Sequence, residues 1–300
     1  MQVSGHIPVL LHPMLMALSP AAGRIYLDGT FGGGGYTRAI LETSKCIVHA
    51  LDRDPEAEIR SQALKSEFPD RFFFHKGTFS DIPTLFNDEM FDGIVFDFGV
   101  SSYQFDTAER GFSFRLDGPL DMRMTPSMPL NAADVVNTYS EEDLASIFYT
   151  YGDEPKSRQI ARAIVDVRKN TPFTRTLQLA DCIRKIVYRK DGIDPATRAF
   201  QGLRIFVNNE LLEIDQAFRA SVRALKNQGK LITVSFHSLE DRLCKQFFKN
   251  ENPWLDTCDA SFDLLTRKPV APSSDEIAAN PRSRSGKLRA ATLHKRGSSC

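Results

Sequence analysis

The stretch Tyr26-Leu27-Asp28-Gly29-Thr30-Phe31-Gly32-Gly33-Gly34-Gly35 decides the fold. A short apolar run ends in a carboxylate, and four consecutive glycines follow within one turn. Glycine has no Cβ, so such a turn lets the backbone come close to a bulky ligand. The continuation Thr37-Arg38-Ala39-Ile40-Leu41 reads as a helix whose N-terminus points at the same place. Strand, glycine turn and helix in this order mark the nucleotide-end pocket of a doubly wound α/β sheet.

The dinucleotide fingerprint does not fit. Read from Gly32, G-x-G-x-x-G needs a third glycine at position 37, where the chain has Thr37. Asp28, just before the turn, would repel a pyrophosphate. It suits a cationic head instead, such as the amino and sulfonium groups of S-adenosylmethionine. A second apolar run, Cys46-Ile47-Val48-His49-Ala50-Leu51, ends in Asp52. It comes about twenty residues after the first glycine, where an acid accepts hydrogen bonds from ribose hydroxyls. Asp52 has an alternative as the N-cap of a helix at Pro55-Glu56-Ala57. Taken together, the turn and the acids favour a cofactor pocket.

Further apolar runs at Phe72–His75 and Ile94–Phe98 extend a βαβ pattern, the mark of a parallel sheet. A fifth run, Lys230–Phe236, follows Asn227-Gln228-Gly229, which reads as a helix stop. The intervening stretch opens with a Gly/Pro-punctuated loop, Gly111 to Pro129, and then turns helical. Ser140-Glu141-Glu142-Asp143 is a capping-box start, and Pro155 to Lys169 reads as an amphipathic helix. That stretch is too long for a crossover. The expected organisation is a discontinuous cofactor domain over 1–104 and 203–300, with an inserted helical domain over 105–202 that recognises substrate.

Composition sets the remaining bounds. A chain of 300 residues with 42% hydrophobic content buries a sizeable core. No run reaches the length of a membrane span, and the N-terminus lacks a signal segment. Five scattered cysteines include no C-x-x-C pair, which argues against a zinc ribbon and fits a reducing cytoplasm. No metal site is expected. Net charge is zero, so any nucleic-acid footprint must be local. Two basic sets qualify. After Glu276 there is no acid, yet Arg282, Arg284, Lys287, Arg289, Lys295 and Arg296 follow, as a phosphate-binding arm or a solvated tail. Lys156, Arg158, Arg162 and Arg168 form the second, which a merely solvated helix face explains equally well.

The fourth run ends Phe96-Asp97-Phe98-Gly99-Val100-Ser101-Ser102-Tyr103-Gln104. In an open α/β sheet this strand end borders the reactive end of the cofactor. Asp97 can hold the methionine part of a cofactor or orient a substrate amine, or it can simply cap a turn. The Pro-Pro pair common at this point in enzymes that methylate exocyclic amines is missing, so the motif alone does not specify an amine.

These motifs resemble the bacterial 16S ribosomal RNA cytosine-N4-methyltransferases, the RsmH or MraW family. The matches run in family order over nearly the whole chain: His6-Ile7-Pro8-Val9-Leu10-Leu11, the glycine turn, Leu51-Asp52-Arg53-Asp54-Pro55 and Asp97–Ser102. They continue with Glu109–Phe114, Asp117-Gly118-Pro119-Leu120-Asp121-Met122-Arg123-Met124, Tyr151–Glu154, Thr174–Thr176, Ser235–Arg242 and Asn280–Ser285. The resemblance implies a class I methyltransferase fold with an inserted helical domain and S-adenosylmethionine as methyl donor. It implies as acceptor the N4 of a P-site cytidine of 16S rRNA in the small (30S) ribosomal subunit, acted on by a cytoplasmic monomer or homodimer. By the same matching, the cofactor contacts fall on Gly34, Gly35, Tyr36, Asp52, Phe79, Asp97 and Gln104. Tyr36 departs from the family, whose members often have His there. Tyr103 stands where proline is common, and the stretch between Trp254 and Glu276 is short for the family.

No residue is assigned as a catalytic base. His237 sits between a strand and a helix expected to be capped by Ser238, which favours a structural role. Arg110, Arg115 and Arg123 are available for phosphate, or for pairing with Asp106, Asp117 and Asp121. Two rivals are a methyltransferase of the same fold acting on a protein or small molecule, and a non-catalytic RNA-binding assembly factor. The intact Asp28, Asp52, Asp97 and glycine turn argue against the second.

Overall fold

The computed structural model describes residues 8–88, 90–188, 192–249, 255 and 258–296. His6, Ile7 and Trp254, named above, lie outside the described residues. The described residues up to Gly99 and from Leu211 form one compact unit, and Val100–Glu210 form a second.

The first unit is built on a seven-stranded sheet in the order β3-β2-β1-β4-β5-β7-β6. The strands are β1 (Ile25–Asp28), β2 (Ile47–Asp52), β3 (Phe72–Lys76), β4 (Phe91–Asp97), β5 (Leu225–Ser235), β6 (Ala260–Leu264) and β7 (Lys287–Lys295). Strands β1 to β5 pair in parallel, while β7 runs antiparallel to both β5 and β6. This is the mainly parallel α/β sheet that the sequence implies. Successive side chains of a strand face opposite ways, and both faces are covered. Leu27, Leu51, Ile94 and Phe96 pack on one face with Phe218 and Phe247. Their neighbours Tyr26, Ala50 and Val95 pack on the other with Met14, Ile40 and Leu64.

The second unit has its own apolar core, in which Phe148, Ile160, Ile164 and Leu179 from three helices meet Leu203. It extends past the expected residue 202 because the helix Thr197–Asn208 buries Ala199, Phe200, Leu203 and Val207 in that core. Ser140 caps the helix Glu141–Thr150 by accepting from the Asp143 N–H, and the amphipathic helix spans Ser157–Arg168. Both match the sequence reading.

Two expectations need correction. Asn227-Gln228-Gly229 is not a helix stop. The preceding helix ends at Ala224, and β5 already begins at Leu225. The three residues form an irregularity where the pairing jumps from Phe91↔Leu225 to Gly93↔Lys230, with Gln228 at φ 67. The larger correction concerns the basic C-terminal segment. Lys287–Lys295 is not a solvated tail but an interior strand between β5 and β6. Two of its cations are absorbed locally: Arg289 Nε lies 2.8 Å and Lys287 Nζ 3.2 Å from the Asp241 carboxylate. Burial opposes the charge on Asp241, but hydrogen bonds from Arg289 and Lys287 outweigh it and hold its pKa below the usual carboxylate range. Among the described residues no helix is long and apolar enough to cross a membrane. Cys46, Cys182 and Cys244 are buried free thiols, whereas Cys258 is disulfide-bonded, a bond the scattered spacing did not suggest.

Removing Asp241 leaves the 11%-exposed Arg289 side chain without its carboxylate inside the sheet. Breaking one side of such a pair costs about 3 kcal/mol or more. Asp241→Ala is therefore expected to lower stability by that order in urea unfolding. A loss within the range of an exposed ion pair would show that β7 does not depend on it.

Candidate cofactor site

Strand order reverses between β1 and β4. The chain runs outward from β1 through β2 to β3, then returns to β4 on the other side of β1. In open α/β sheets the crevice at the carboxyl ends of such strands is where ligands bind. Here β1, β2 and β4 each end in an aspartate: Asp28, Asp52 and Asp97.

Asp28 is fully buried and turned inward on the glycine turn itself. One oxygen accepts from the Thr30 N–H at 3.1 Å and the other from the Thr37 hydroxyl at 2.7 Å. The Thr30 hydroxyl in turn accepts from the Asp97 N–H at 2.6 Å. One carboxylate thus ties the entry of the turn to the first turn of the next helix, and through Thr30 to the end of β4. Asp28 is a pin for the turn rather than the contact for a cationic head expected from its position. Burial pushes its pKa up to about 6, with Asp52 adding to the rise.

The turn is held next by Asp52. Its oxygens accept from the Gly32 N–H at 2.7 Å and the Asp54 N–H at 2.9 Å. Asp54, not Asp52, caps the helix Pro55–Glu67 by accepting from the Glu56 N–H. The Gly32 carbonyl accepts from Arg60 Nε at 2.9 Å. Burial, above all, raises the pKa of Asp52. Gly34 stands at φ 79 before the helix Gly35–Thr43, whose N-terminus no side chain caps. A Cβ at Gly34 would meet both Leu64 and the Phe31 ring at 2.8 Å, so this position requires glycine on two counts.

Phe79 lies in a single turn after β3, closed by a capping box between Thr78 and Asp81. The Gly77 N–H donates to the Asp52 carbonyl at 3.0 Å, which brings this loop against the end of β2. The Phe79 ring stands edge-on to Phe96, 5.1 Å between centroids, and remains partly exposed. Asp97 contrasts with Asp28. Its Oδ1 is buried and has no hydrogen-bond partner among the described residues. Burial, then Asp28 and Glu240, hold its pKa well above the usual carboxylate range. A buried carboxylate oxygen without a donor fits a ligand that brings one.

The Tyr36 ring is buried, and its hydroxyl donates to the Val9 carbonyl. Gln104 belongs to the second unit, where its Oε1 accepts from the Ser101 N–H at 3.0 Å and closes a capping box on the helix Ser102–Asp106. The other six expected residues lie in the first unit around the ends of β1 to β4.

His237 is itself the N-cap of the helix Ser238–Phe248, in place of Ser238. Its Nδ1 accepts from the Glu240 N–H, and its Nε2 lies 3.0 Å from the Glu240 carboxylate. Several basic candidates are also committed to structure. Lys156 donates to the Ile186 carbonyl, Arg168 to those of Val136 and Tyr139, and Arg110 to those of Arg123 and Met124. Arg123 is paired with Asp121. Thr30, Thr37 and Arg60 went unnoticed in the sequence. The Asp-x-Thr spacing of a side chain reaching the backbone two residues on was the one signal available for Thr30.

Residues 3–294 match the model of the MraW methylase family. The chain belongs to the MraW methylase family. It is 52% identical over 300 residues to the ribosomal RNA small subunit methyltransferase H of Gluconobacter oxydans, covering 96% of this chain and 93% of that one. The protein of the same name from Rhodospirillum rubrum is 49% identical over 304 residues, with coverage of 95% and 93%. That of a Wolbachia strain is 50% identical over 292 residues, with coverage of 95% and 98%. Membership of the MraW methylase family extends across both compact units, because the matched span includes the second from end to end.

The rise in the Asp28 pKa from 3.8 to about 6 sets a sign. An acid that is weaker in the folded state binds more protons there, so it costs stability as pH rises through this window and reaches its full cost above pH 6. That cost is about 3 kcal/mol. Asp28→Asn is therefore expected to gain on the parent protein between pH 4 and pH 8 by up to that amount in urea unfolding. A difference that does not change with pH would argue against a buried charge.

Proposed function

We propose that this chain transfers a methyl group from S-adenosylmethionine to the exocyclic N4 amine of a cytidine in 16S rRNA of the small ribosomal subunit. The observation that carries the reading is the glycine turn flanked by Asp52 and by the unsatisfied oxygen of Asp97, in a MraW-family chain. Its relatives named as rRNA small subunit methyltransferases align with it over nearly their full length. The first unit holds the methyl donor and the second recognises the RNA. The acceptor is a site in the small (30S) subunit, in the cytoplasm.

When bound, S-adenosylmethionine supplies an electrophilic methyl group on a sulfonium. The backbone at Gly34, Gly35 and Tyr36 receives its carboxylate at the uncapped helix N-terminus. Asp97 Oδ1 accepts from its ammonium group, and Asp52 accepts from the ribose hydroxyls with the lone pairs left after Gly32 and Asp54. Phe79 offers apolar surface to the base. The lone pair of cytosine N4 is delocalised into the ring, so the amine must be turned towards the methyl carbon. Orientation of that kind supplies about 7–11 kcal/mol in well-aligned cases. Methyl transfer would form the C–N bond at the expense of the donor's C–S bond, and the resulting aminium is acidic enough to lose its proton to water, so no side chain here is required as a base. His237, spent on capping a helix, is not required. The cytosine must leave its stack to react, as for other enzymes that act on bases.

Small subunits from cells lacking this gene should accept labelled methyl, and nucleoside mass spectrometry should find it on cytosine N4. Label in protein or on another base would refute the acceptor. Asp97→Asn should weaken donor binding by about 1.5–3 kcal/mol, the worth of a hydrogen bond to a charged group. Because the ionised form of Asp97 binds the ammonium, donor affinity should rise with pH through its elevated pKa, and the Asn variant should lose that dependence. Equal calorimetric affinity for the two proteins would remove Asp97 from the site.

A further inference from the structure

A single peptide unit, Val9–Leu10, is gripped from both sides. Its carbonyl accepts the Tyr36 hydroxyl, and its N–H donates to Glu276 Oε1 at 2.7 Å. Tyr36 belongs to the helix that starts at the glycine turn, and Glu276 to the C-terminal helix Ser274–Ala279. Leu10 is held at φ 55, in the left-handed region, although it is a leucine and almost fully buried. A side chain with a Cβ disfavours that region, so the surroundings must impose it.

The packing on either side is equally close. A Cβ at Gly35 would fall 2.2 Å from Pro8 Cγ, and one at Gly286 would fall 2.8 Å from Val9 Cγ1. Pro8 and Val9 are therefore wedged between the glycine turn and the C-terminal loop. Tyr36 precedes Thr37, whose hydroxyl binds Asp28. Any movement of the start of this helix thus strains the pin that holds the turn. The hydroxyl of Tyr36 also feels the charges of Asp97, Asp28 and Glu276, after the larger effect of burial, which places it among the acids of the crevice.

We propose that Tyr36 and Glu276 are positioning residues for methyl-donor binding. Through the Val9–Leu10 peptide they press Pro8 onto Gly35 and set the N-terminus of the helix Gly35–Thr43 where the donor carboxylate binds. Neither side chain needs to touch the donor. The inference rests on the donor-site reading above.

The test uses the full chain with small subunits as acceptor. Tyr36→Phe and Glu276→Ala should each raise the KM and the calorimetric Kd for S-adenosylmethionine by roughly five- to tenfold, with kcat within about twofold. Glu276→Gln keeps an acceptor for the Leu10 N–H and should restore the KM. The double variant should be little worse than either single one, because either loss frees the same peptide. Asp92→Ala, which weakens the fold at the ends of β1 and β4 opposite the crevice, should leave the KM unchanged. Unchanged affinity in both single variants, additive losses, or an equal loss in Asp92→Ala would overturn the proposal. If Asp97→Asn and Asp52→Ala weaken donor binding while Tyr36→Phe does not, this inference alone falls. If none of the three weakens it, the donor site itself has been misplaced.

Discussion

A carboxylate buried at the end of β1 must be given donors, and the architecture of the crevice follows from that requirement. An ionised group out of water is tolerated only when hydrogen bonds replace its hydration. Asp28 obtains them from Thr30 in the turn and Thr37 in the helix beyond it. Thr30 then takes up the Asp97 N–H, and Gly32 closes on Asp52. Four backbone segments are thereby fixed relative to one another. What remains for a ligand is the uncapped helix start, the spare oxygen of Asp97 and the lone pairs left on Asp52.

The same arrangement sets stability against binding. Asp28, Asp52 and Asp97 all have pKa values raised by burial, so the crevice is most comfortable when protons are present. A cationic ligand at Asp97 would reverse the balance there and turn unfavourable burial into affinity. Asp28 gains nothing of the kind, since both of its oxygens are already engaged. Acids that look equivalent in the sequence, each closing an apolar run, therefore divide into one that holds the fold and one that waits for a partner.

Much of this was legible in the chain. The parallel strands stand out because burial on both faces makes continuous apolar runs, and β1 and β2 end where expected, at Asp28 and Asp52. The glycine turn was legible because only glycine suits Gly34, with its positive φ and close neighbours. Strand β7 was not. Lys287, Arg289 and Lys295 interrupt its apolar residues, and the first two depend for their accommodation on Asp241, 46 residues from Lys287 in sequence. Strand β6 was lost with it, being short and dependent on β7 for pairing. Side-chain destinations were the other blind spot. Tyr36 reads as a residue facing the ligand, and nothing local reveals that its hydroxyl goes to Val9, 27 positions earlier.

The position of β7 has a consequence for how the protein comes into being. A strand that lies inside the sheet but follows both of its neighbours in sequence is made after them. Until it arrives, β5 and β6 present unpaired edges, and the cations of β7 have not yet met Asp241. Contacts so distant in sequence are slow to form, and exposed edges invite wrong partners. The sheet therefore closes only when β7 has paired on both sides, because β6 has no other strand to join it to β5.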